Sequence, residues 1–423
     1  MTITAAAGDR ALPPEVEARL AELGGAELVV GLFSYEHART IAGVLDGIEK
    51  GVRAHFPGVP TIVVHSDGGS TDGTVEAVED SVGDLPVVRL THYVPGVQRA
   101  TPPVAGVPGA DAAFRAFCRV AATVGARASL LVGADLRALP DEWIEGLLRP
   151  VWEGELDFAA PLFARHALDG TMTTCLLYPL ARALYGRAVR HMAPSEVAIS
   201  ADLLGHLAET ATRTRAARTL PLFLTTSAAA HRGARLGELW VGPRAAEPHG
   251  ARSDLGAVMS ESVGAEFALA ELYEEQWREG AACPEPRRCG QPVAPLTPSP
   301  VPNLEEMVTV FRQGVRDLVP IWEHALSPAT MADLYPLADL APDEFTFSPA
   351  LWARVVYDSL LAYRFRVLHR DHLLRSLVPL YLGRVAGLAR EVAGRPAAVQ
   401  ERLVERQVEA FQAAKADFAD RWR

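Results

Sequence analysis

Three acidic residues of this sequence each follow a short apolar segment, a position typical of ligand-binding carboxylates at the edge of a sheet. Glu36 lies in the polar run Ser-Tyr-Glu-His, Asp67 opens the run Asp-Gly-Gly-Ser-Thr-Asp-Gly-Thr, and Asp135 ends the apolar segment that begins at Ala128. If the three segments are parallel strands, their carboxyl ends meet at one edge of the sheet, where open α/β sheets bind ligands. The pattern predicts half of a pocket of the nucleotide-binding type. Asp135 could instead cap the helix that follows it.

The elements that must position these acids form a strand–helix–strand unit between residues 27 and 72. Apolar strands are predicted at 28–33 and 61–64, and the helix between them carries apolar residues at helical spacing. Further segments with clear patterns are strands at 86–90, 128–136 and 220–226, a loop at 92–111 and helices at 112–124 and 176–185. This alternation predicts an α/β fold.

Three arginines flank the predicted helix at 176–185, namely Arg165, Arg187 and Arg190. A guanidinium can bind a phosphate or a carboxylate through two parallel hydrogen bonds, so these residues are candidates for phosphate or acceptor binding. The simpler interpretation is that they lie on the surface.

The composition is that of a globular protein that has no membrane span and does not bind nucleic acid. The chain has 423 residues, of which 49% are apolar, and a net charge of −11. Nonspecific nucleic-acid binding needs a basic surface, and a membrane span needs about 18 apolar residues in a row, which the chain lacks. The first twenty residues do not predict a secretory signal, and four scattered cysteines support neither a zinc site nor a disulfide framework. We therefore expect a cytoplasmic protein.

The pattern along the chain predicts four parts. These are an N-terminal arm at 1–24, an α/β domain at 25–282, a proline-rich connector at 283–302 and a helical C-terminal region at 303–423. The helical region could pack on the α/β domain of its own chain or form a homodimer.

The order of these motifs resembles the GT-A class of nucleotide-sugar glycosyltransferases, and in particular its family-2-like members. The run from Asp67 to Thr74 matches their Asp-Gly-x-Ser-x-Asp-Gly-Thr motif, and Asp135 matches the last acid of their Asp-x-Asp motif. More narrowly, the runs at 169–173, 178–187 and 379–384 resemble the retaining group of mannosylglycerate synthase and glucosyl-3-phosphoglycerate synthase. The resemblance implies a mixed, Rossmann-like sheet flanked by helices, with a helical C-terminal region. It also implies transfer of a sugar, with retention, from a nucleoside diphosphate to a small-molecule or glycan acceptor.

The resemblance implies a role for each matching residue at the nucleotide end of the site. Glu36 matches an acid that contacts the nucleoside, and Asp67 matches the acid that binds the base, with Gly68 and Gly69 beside it. Asp67 could instead cap the turn that it opens.

At the sugar end, the resemblance implies that Asp135 ligates a Mg²⁺ or Mn²⁺ ion that bridges the diphosphate. Such an ion stabilises the leaving nucleoside diphosphate as its charge develops. His249 is the candidate for a further metal ligand. Glu196 corresponds to an acid near the acceptor, so Asp135 and Glu196 are the candidate catalytic residues.

The sequence departs from the family pattern at several of these positions. Gly133 replaces the first acid of Asp-x-Asp, the lysine expected within the loop at 92–111 is absent, and Ala193 to Glu196 replace a Gly-Gly-acid segment. An alternative function is therefore a degenerate GT-A homologue that binds a nucleotide or a partner protein without turnover. A dinucleotide-dependent oxidoreductase is excluded because no Gly-x-Gly-x-x-Gly motif follows the first strand.

Overall fold

The computed structural model describes residues 12–81, 83–96, 98, 106–242, 254–279, 283–293 and 302–423. The strands are β1 Leu28–Ser34, β2 Thr61–Asp67, β3 Val87–Thr91, β4 Ala128–Gly133, β5 Phe158–Phe163, β6 Val197–Ser200, β7 Leu236–Val241 and β8 Arg287–Cys289. The α-helices are α1 Pro14–Leu23, α2 Ile41–His55, α3 Thr74–Asp80, α4 Ala110–Thr123, α5 Asp141–Trp152, α6 Tyr178–Tyr185, α7 Ala201–Ala211, α8 Leu220–Ala230, α9 Leu255–Val258, α10 Gly264–Leu272, α11 Glu274–Arg278, α12 Leu304–Asp317, α13 Val319–Ala325, α14 Pro328–Leu334, α15 Pro349–Arg364, α16 Arg370–Ser376, α17 Val378–Val392 and α18 Ala397–Arg421. Short 3-10 helices cover Arg215–Arg218 and Tyr335–Asp339, and π-helical turns cover Thr173–Leu177 and Met259–Val263.

These residues form two compact units. The sheet unit contains the described residues within 1–163, 193–251 and 286–293, and the helical unit contains those within 164–192, 252–285 and 294–423. Each unit is therefore assembled from separate stretches of chain. The sequence-based boundaries at 25–282 and 303–423 divide the chain differently and remain a prediction about its domains.

The sheet unit is built on one mixed sheet of eight strands in the order β3-β2-β1-β4-β6-β5-β7-β8. β6 runs antiparallel to both of its neighbours, β4 and β5, and all the other pairs are parallel. The expected mixed α/β sheet flanked by helices is confirmed. One consequence matters for function: because β6 is reversed, its first residues lie at the edge where the parallel strands end.

The core forms where the sequence alternates between continuous apolar strands and amphipathic helices. Every residue of β1 and β2 is buried, as expected for central parallel strands. α2 packs one face onto them through residues at helical spacing, including Ile41, Val44 and Ile48, which have no exposed surface. This packing fixes where the central strands end, and thereby where their terminal polar residues lie.

The helical unit is held together by buried aromatic and polar side chains. The indole N–H of Trp352 donates to the carbonyl of Cys175 (2.7 Å), and the fully buried Arg384 donates to the carbonyl of Phe347 (2.6 Å) and to Glu391 (2.9 Å). Buried polar groups of this kind are stable only when they are hydrogen-bonded. The expected helical C-terminal region is confirmed. No helix in the described ranges is long and apolar enough to cross a membrane.

Two local expectations differ from the structure. The strand predicted at 220–226 is wrong, because these residues belong to the helix Leu220–Ala230, every residue of which is buried. A short, wholly apolar run does not distinguish a buried strand from a buried helix. The predicted connector at 283–302 contains β8, which pairs with β7, while residues 294–301 lie outside the described part of the chain.

Candidate active site

A cleft opens in the sheet unit at the carboxyl ends of β1 and β4, and we call it the strand-end cleft. It is lined by Gly31, Phe33, His37, Gly106, Val107, Ala110, Leu131, Val132, Gly133, Ala134, Asp135, Pro194, Ser195, Leu220, Pro221 and Leu224. Its cavity volume is about 60 Å³. The empty space between its walls, including the solvent at its mouth, is about 550 Å³. The cleft is therefore narrow and largely apolar, with a few polar groups at its rim, as is common for small-molecule sites.

Two carboxylates converge on Gly133, at the end of β4. A β-carbon placed on this glycine would lie 2.7 Å from Oδ1 of Asp135 and 3.0 Å from Oε1 of Glu196. The two acids are therefore neighbours. Both are buried, with Asp135 7% and Glu196 1% exposed.

The strand register explains how these acids meet. Leu131 of β4 pairs with Val197 of the antiparallel β6, so the residues just before Val197 lie opposite the end of β4. Glu196 therefore occupies the space into which a side chain at position 133 would extend. In the folded chain Glu196, the residue before β6, is thus the acid that lies beside position 133.

The end of β4 is anchored by α2. The hydroxyl of Thr40, the residue before α2, donates to the carbonyl of Ala134 at 2.6 Å. This bond fixes the backbone immediately before Asp135 and limits where its carboxylate can lie.

His37 is a residue of the cleft that sequence reasoning passed over. It lines the cleft, and its Nδ1 accepts a hydrogen bond from the backbone N–H of Tyr35 at 3.1 Å. In the neutral ring the proton is therefore on Nε2, which makes that nitrogen a donor. His37 lies in the Ser-Tyr-Glu-His run, from which the sequence analysis selected only Glu36 as a candidate.

Asp67 is almost fully buried, and its carboxylate is occupied by its own loop. Oδ2 accepts from the backbone N–H groups of Gly69 (2.7 Å) and Ser70 (2.8 Å), and Oδ1 accepts from the hydroxyls of Ser34 (2.9 Å) and Ser70 (2.6 Å). Four hydrogen bonds use the acceptor capacity of a carboxylate. The geometry is that of a turn-capping aspartate, the alternative raised by the sequence.

Glu36 is hydrogen-bonded to the same loop. Its Oε1 accepts from the N–H (2.8 Å) and hydroxyl (3.2 Å) of Thr71, and its own N–H donates to the hydroxyl of Ser70 (2.9 Å). The Glu36 backbone has a φ of 59°, a left-handed conformation that residues other than glycine rarely adopt. Glu36 and Asp67 are thus joined through Ser70 at the end of the first two strands.

Gly68 and Gly69 are tied into this loop as well. The Gly68 N–H donates to the carbonyl of Ser34 (2.9 Å), and a β-carbon at Gly68 would lie 2.9 Å from the side chain of Val94. Gly69 has a φ of 85°. Glycine is therefore required at both positions, by close packing at Gly68 and by backbone conformation at Gly69.

Beneath the loop lies a buried network of Ser34, His65 and Asp67. Because the hydroxyl of Ser34 donates to Asp67, Nε2 of His65 must donate to the oxygen of Ser34 at 2.8 Å. In a nucleophilic triad the histidine would stand between the serine and the acid, whereas here the serine does. Ser34 has no exposed surface, so the network is structural.

This network makes the stability of the fold sensitive to acid. Burial lowers the pKa of His65 to about 4, more than the nearby Asp67 raises it, and burial also lowers the pKa of His92. The unfolded chain binds protons at both histidines below about pH 6.5, whereas burial opposes their protonation in the folded chain, for His65 until about pH 4. We therefore expect His65 to cost the folded state about 3 kcal/mol as the pH falls through this window.

Urea unfolding of the full chain between pH 7 and pH 4 measures this loss. The variant His65→Asn should lose less free energy of unfolding over that range than the native chain, because its side chain does not titrate. The matched variant His206→Asn changes a half-buried histidine outside the network and should follow the native curve. Equal pH dependence of His65→Asn and the native chain would contradict the prediction.

The three arginine candidates belong to the helical unit. Arg165 is exposed, and Arg187 is fully buried, which favours a structural role for it. The guanidinium of Arg190 lies 5.1 Å above the ring of Tyr178 and 3.5 Å from Glu401. Their role in phosphate or acceptor binding stays a prediction.

Two neighbouring carboxylates of the site could serve as ligands of a divalent cation. Mg²⁺ is commonly bound by one or two carboxylates together with water and substrate phosphates, and Asp135 and Glu196 fit that pattern. Within the described ranges no group of three histidine, cysteine or acidic residues could hold a metal. His249, the other predicted ligand, lies outside the described residues.

Comparisons with known proteins give a structural likeness only. No protein-family model and no curated protein sequence matches the chain. Solved structures do match. Among 98 matching chains is glucosyl-3-phosphoglycerate synthase from Mycobacterium tuberculosis in complex with Mn²⁺ and UDP-glucose, with 21% sequence identity and a TM-score of 0.38, covering 64% of this chain and 85% of that one.

Two further matches are of the same kind. The complex of that synthase with Mn²⁺, UDP-glucose and phosphoglyceric acid has 20% identity and a TM-score of 0.39, covering 64% of this chain and 87% of that one. A structure described as a mycobacterial protein has 20% identity and a TM-score of 0.38, covering 62% of this chain and 80% of that one. The first two belong to the group that the sequence motifs resemble. At such identities and TM-scores the matches assign no role to the residues of the cleft.

Proposed function

We propose that this protein is a glycosyltransferase that moves a sugar from a nucleoside diphosphate to a small-molecule or glycan acceptor, with retention. The observation that carries the proposal is the pairing of Asp135 and Glu196 beside Gly133 at the carboxyl edge of the sheet. Glycosyl transfer from such donors needs stabilisation of the negative charge that develops on the leaving diphosphate. Two adjacent carboxylates provide the protein ligands for a cation at that point.

In this proposal each group has a separate task. Asp135 and Glu196 hold Mg²⁺ or Mn²⁺, which would supply Lewis-acid stabilisation of the diphosphate. His37 contributes an imidazole to the wall of the cleft. The loop organised by Asp67 and Glu36 forms the nucleoside end by its shape, because the Asp67 carboxylate accepts hydrogen bonds from the loop on both oxygens and Oε1 of Glu36 accepts from Thr71.

A second candidate function is favoured by the character of the cleft. Its lining residues in the described part of the chain include neither lysine nor arginine, although a diphosphate normally recruits such groups. The cleft is also narrow. Both features are expected of a degenerate homologue that binds a nucleotide, or a partner protein, without turnover.

Calorimetry with UDP, GDP and their sugar conjugates, with and without Mn²⁺, distinguishes the two functions. An active enzyme should bind one nucleotide more tightly in the presence of Mn²⁺ and consume its sugar conjugate. Asp135→Asn and Glu196→Gln should each lower turnover by about 100-fold or more, because each removes one charged metal ligand. Glu209→Gln, at an exposed acid of α7, serves as the matched control and should have native activity.

Two results would count against catalysis. Absence of binding to every UDP and GDP compound would exclude a nucleotide-sugar transferase. Nucleotide binding that ignores Mn²⁺ and chelators, with no consumption of any donor, would identify the degenerate homologue.

A further inference from the structure

A second cavity lies on the sheet unit between α4 and α7, and we call it the α4–α7 groove. It is lined by Arg115, Cys118, Arg119, Ala121, Ala122, Ala126, Ala201, Leu204, Gly205, Ala208 and Thr212. Its cavity volume is about 530 Å³, compared with about 60 Å³ for the strand-end cleft. This volume lies within the range of small-molecule sites.

The groove exists because both helices present small side chains to each other. On α7 the lining residues include Ala201, Gly205 and Ala208, and on α4 they include Cys118 and Ala122, at spacings that place each set on one helical face. Since these side chains end at or near the β-carbon, the helices leave a trough between them. The walls are apolar, and burial raises the pKa of the Cys118 thiol, so the floor is an unreactive apolar surface.

The charged groups that line the groove are two arginines of α4, of which Arg115 lies toward one end. Nε of Arg119 is buried and donates no hydrogen bond within the part of the chain that the structure describes. Arg115, one turn earlier, forms an ion pair with Asp111 at 3.1 Å. Arg119 as a whole is half-buried and lines the groove, so its positive charge attracts an anion that enters there.

The surroundings add positive charge at the same end. The helices run antiparallel, since Ala128, just after α4, pairs with Ser200, just before α7. The Arg115 end of α4 therefore lies near Thr212, after which three exposed arginines follow, Arg213, Arg215 and Arg218. The exposed acids of α7 are Asp202 and Glu209, and neither lines the groove.

We infer that the α4–α7 groove binds a small organic anion, a phosphate or carboxylate on a compact apolar body. The anionic head pairs with Arg119, whose guanidinium offers donors in a fixed fork. The apolar body lies along the alanine-lined trough. The site is separate from the strand-end cleft and does not depend on the function proposed for that cleft.

Calorimetry on the full chain with hexyl phosphate tests this inference. Inorganic phosphate supplies the head alone, and 1-hexanol supplies the body alone. We expect hexyl phosphate to bind at least about tenfold more tightly than either. Equal affinity for inorganic phosphate and hexyl phosphate would show an anion site without an apolar subsite, and absence of binding would overturn the inference.

Variants locate the binding. Arg119→Gln should weaken hexyl phosphate binding by about tenfold or more, since it removes the charge and keeps much of the side chain. Ala122→Leu should block binding by filling the trough from an exposed position where the larger side chain can be accommodated. Arg53→Gln removes an exposed arginine of α2 that does not line the groove and should leave binding native.

The oligomeric state of the same samples tests the other occupant of such a groove. If light scattering shows that Ala122→Leu converts a dimer to a monomer while hexyl phosphate never binds, the groove is an interface between copies of this chain. That result would also overturn the inference.

Discussion

Aspartate at position 133 is expected to destabilise the protein by about 4 kcal/mol, although it would restore the Asp-x-Asp spacing that the sequence lacks. A β-carbon there would lie 2.8 Å from that of Ser195 and 2.7 Å from Oδ1 of Asp135. The new carboxylate would also be the third one in a buried space that already holds Asp135 and Glu196. Overpacking and unpaired charge therefore act in the same direction.

Urea unfolding of the full chain measures the effect of Gly133→Asp. Gly133→Asn adds a side chain of nearly the same shape without the charge, so the difference between the two variants reports mainly the electrostatic cost. Combining Gly133→Asp with Glu196→Ala removes one carboxylate and should recover part of the loss. A Gly133→Asp protein as stable as the native chain would mean that Glu196 does not occupy the space of the missing acid.

Alanine at position 67 is expected to cost about 3 kcal/mol, because the carboxylate of Asp67 accepts four hydrogen bonds in a buried site. Its loss leaves the N–H groups of Gly69 and Ser70 without their acceptor and removes the partner of Ser34. Asp67→Asn should lose nearly as much, since an amide presents one acceptor oxygen where two are used. Nucleotide affinity should also fall, because the loop becomes less ordered when it loses these hydrogen bonds.

Thermal and urea unfolding check this prediction, with Asp46→Ala as the matched control. Asp46 lies on the exposed face of α2 and pairs only with Lys50 at the surface among the ion pairs found, so its loss should cost less than about 1 kcal/mol. If Asp67→Ala has native stability and loses only nucleotide binding, the carboxylate acts on the ligand directly, as the family resemblance implies.

The sequence alone determined where the central strands and their polar ends lie. Continuous apolar segments with an amphipathic helix between them predicted β1, α2 and β2, and Asp67 is indeed the last residue of β2. The prediction of these strands succeeds because a strand that is buried on both faces needs an unbroken apolar run. Such a run is a local property that can be recognised from adjacent residues. The polar loop follows, since polar groups collect where the buried strand stops.

The sequence did not reveal what those polar residues do. Asp67 and Glu36 match a ligand-binding motif, yet their oxygens accept hydrogen bonds from the loop itself. A motif fixes residue types and spacing, whereas the direction of a carboxylate depends on which donors the folded loop presents. The helix Leu220–Ala230 was wrongly predicted as a strand, because a wholly buried segment has no polar face that would show the helical period of 3.6 residues.

Only the tertiary structure decided which acids are neighbours. Asp135 and Glu196 are far apart along the chain, and no spacing between them in the sequence indicates that they meet. The antiparallel pairing of β6 with β4 brings them together beside Gly133. The α4–α7 groove has the same origin, since two helices with small residues leave a cavity only when they pack side by side. Proximity between distant segments comes from strand order and register, which no local pattern of residues specifies.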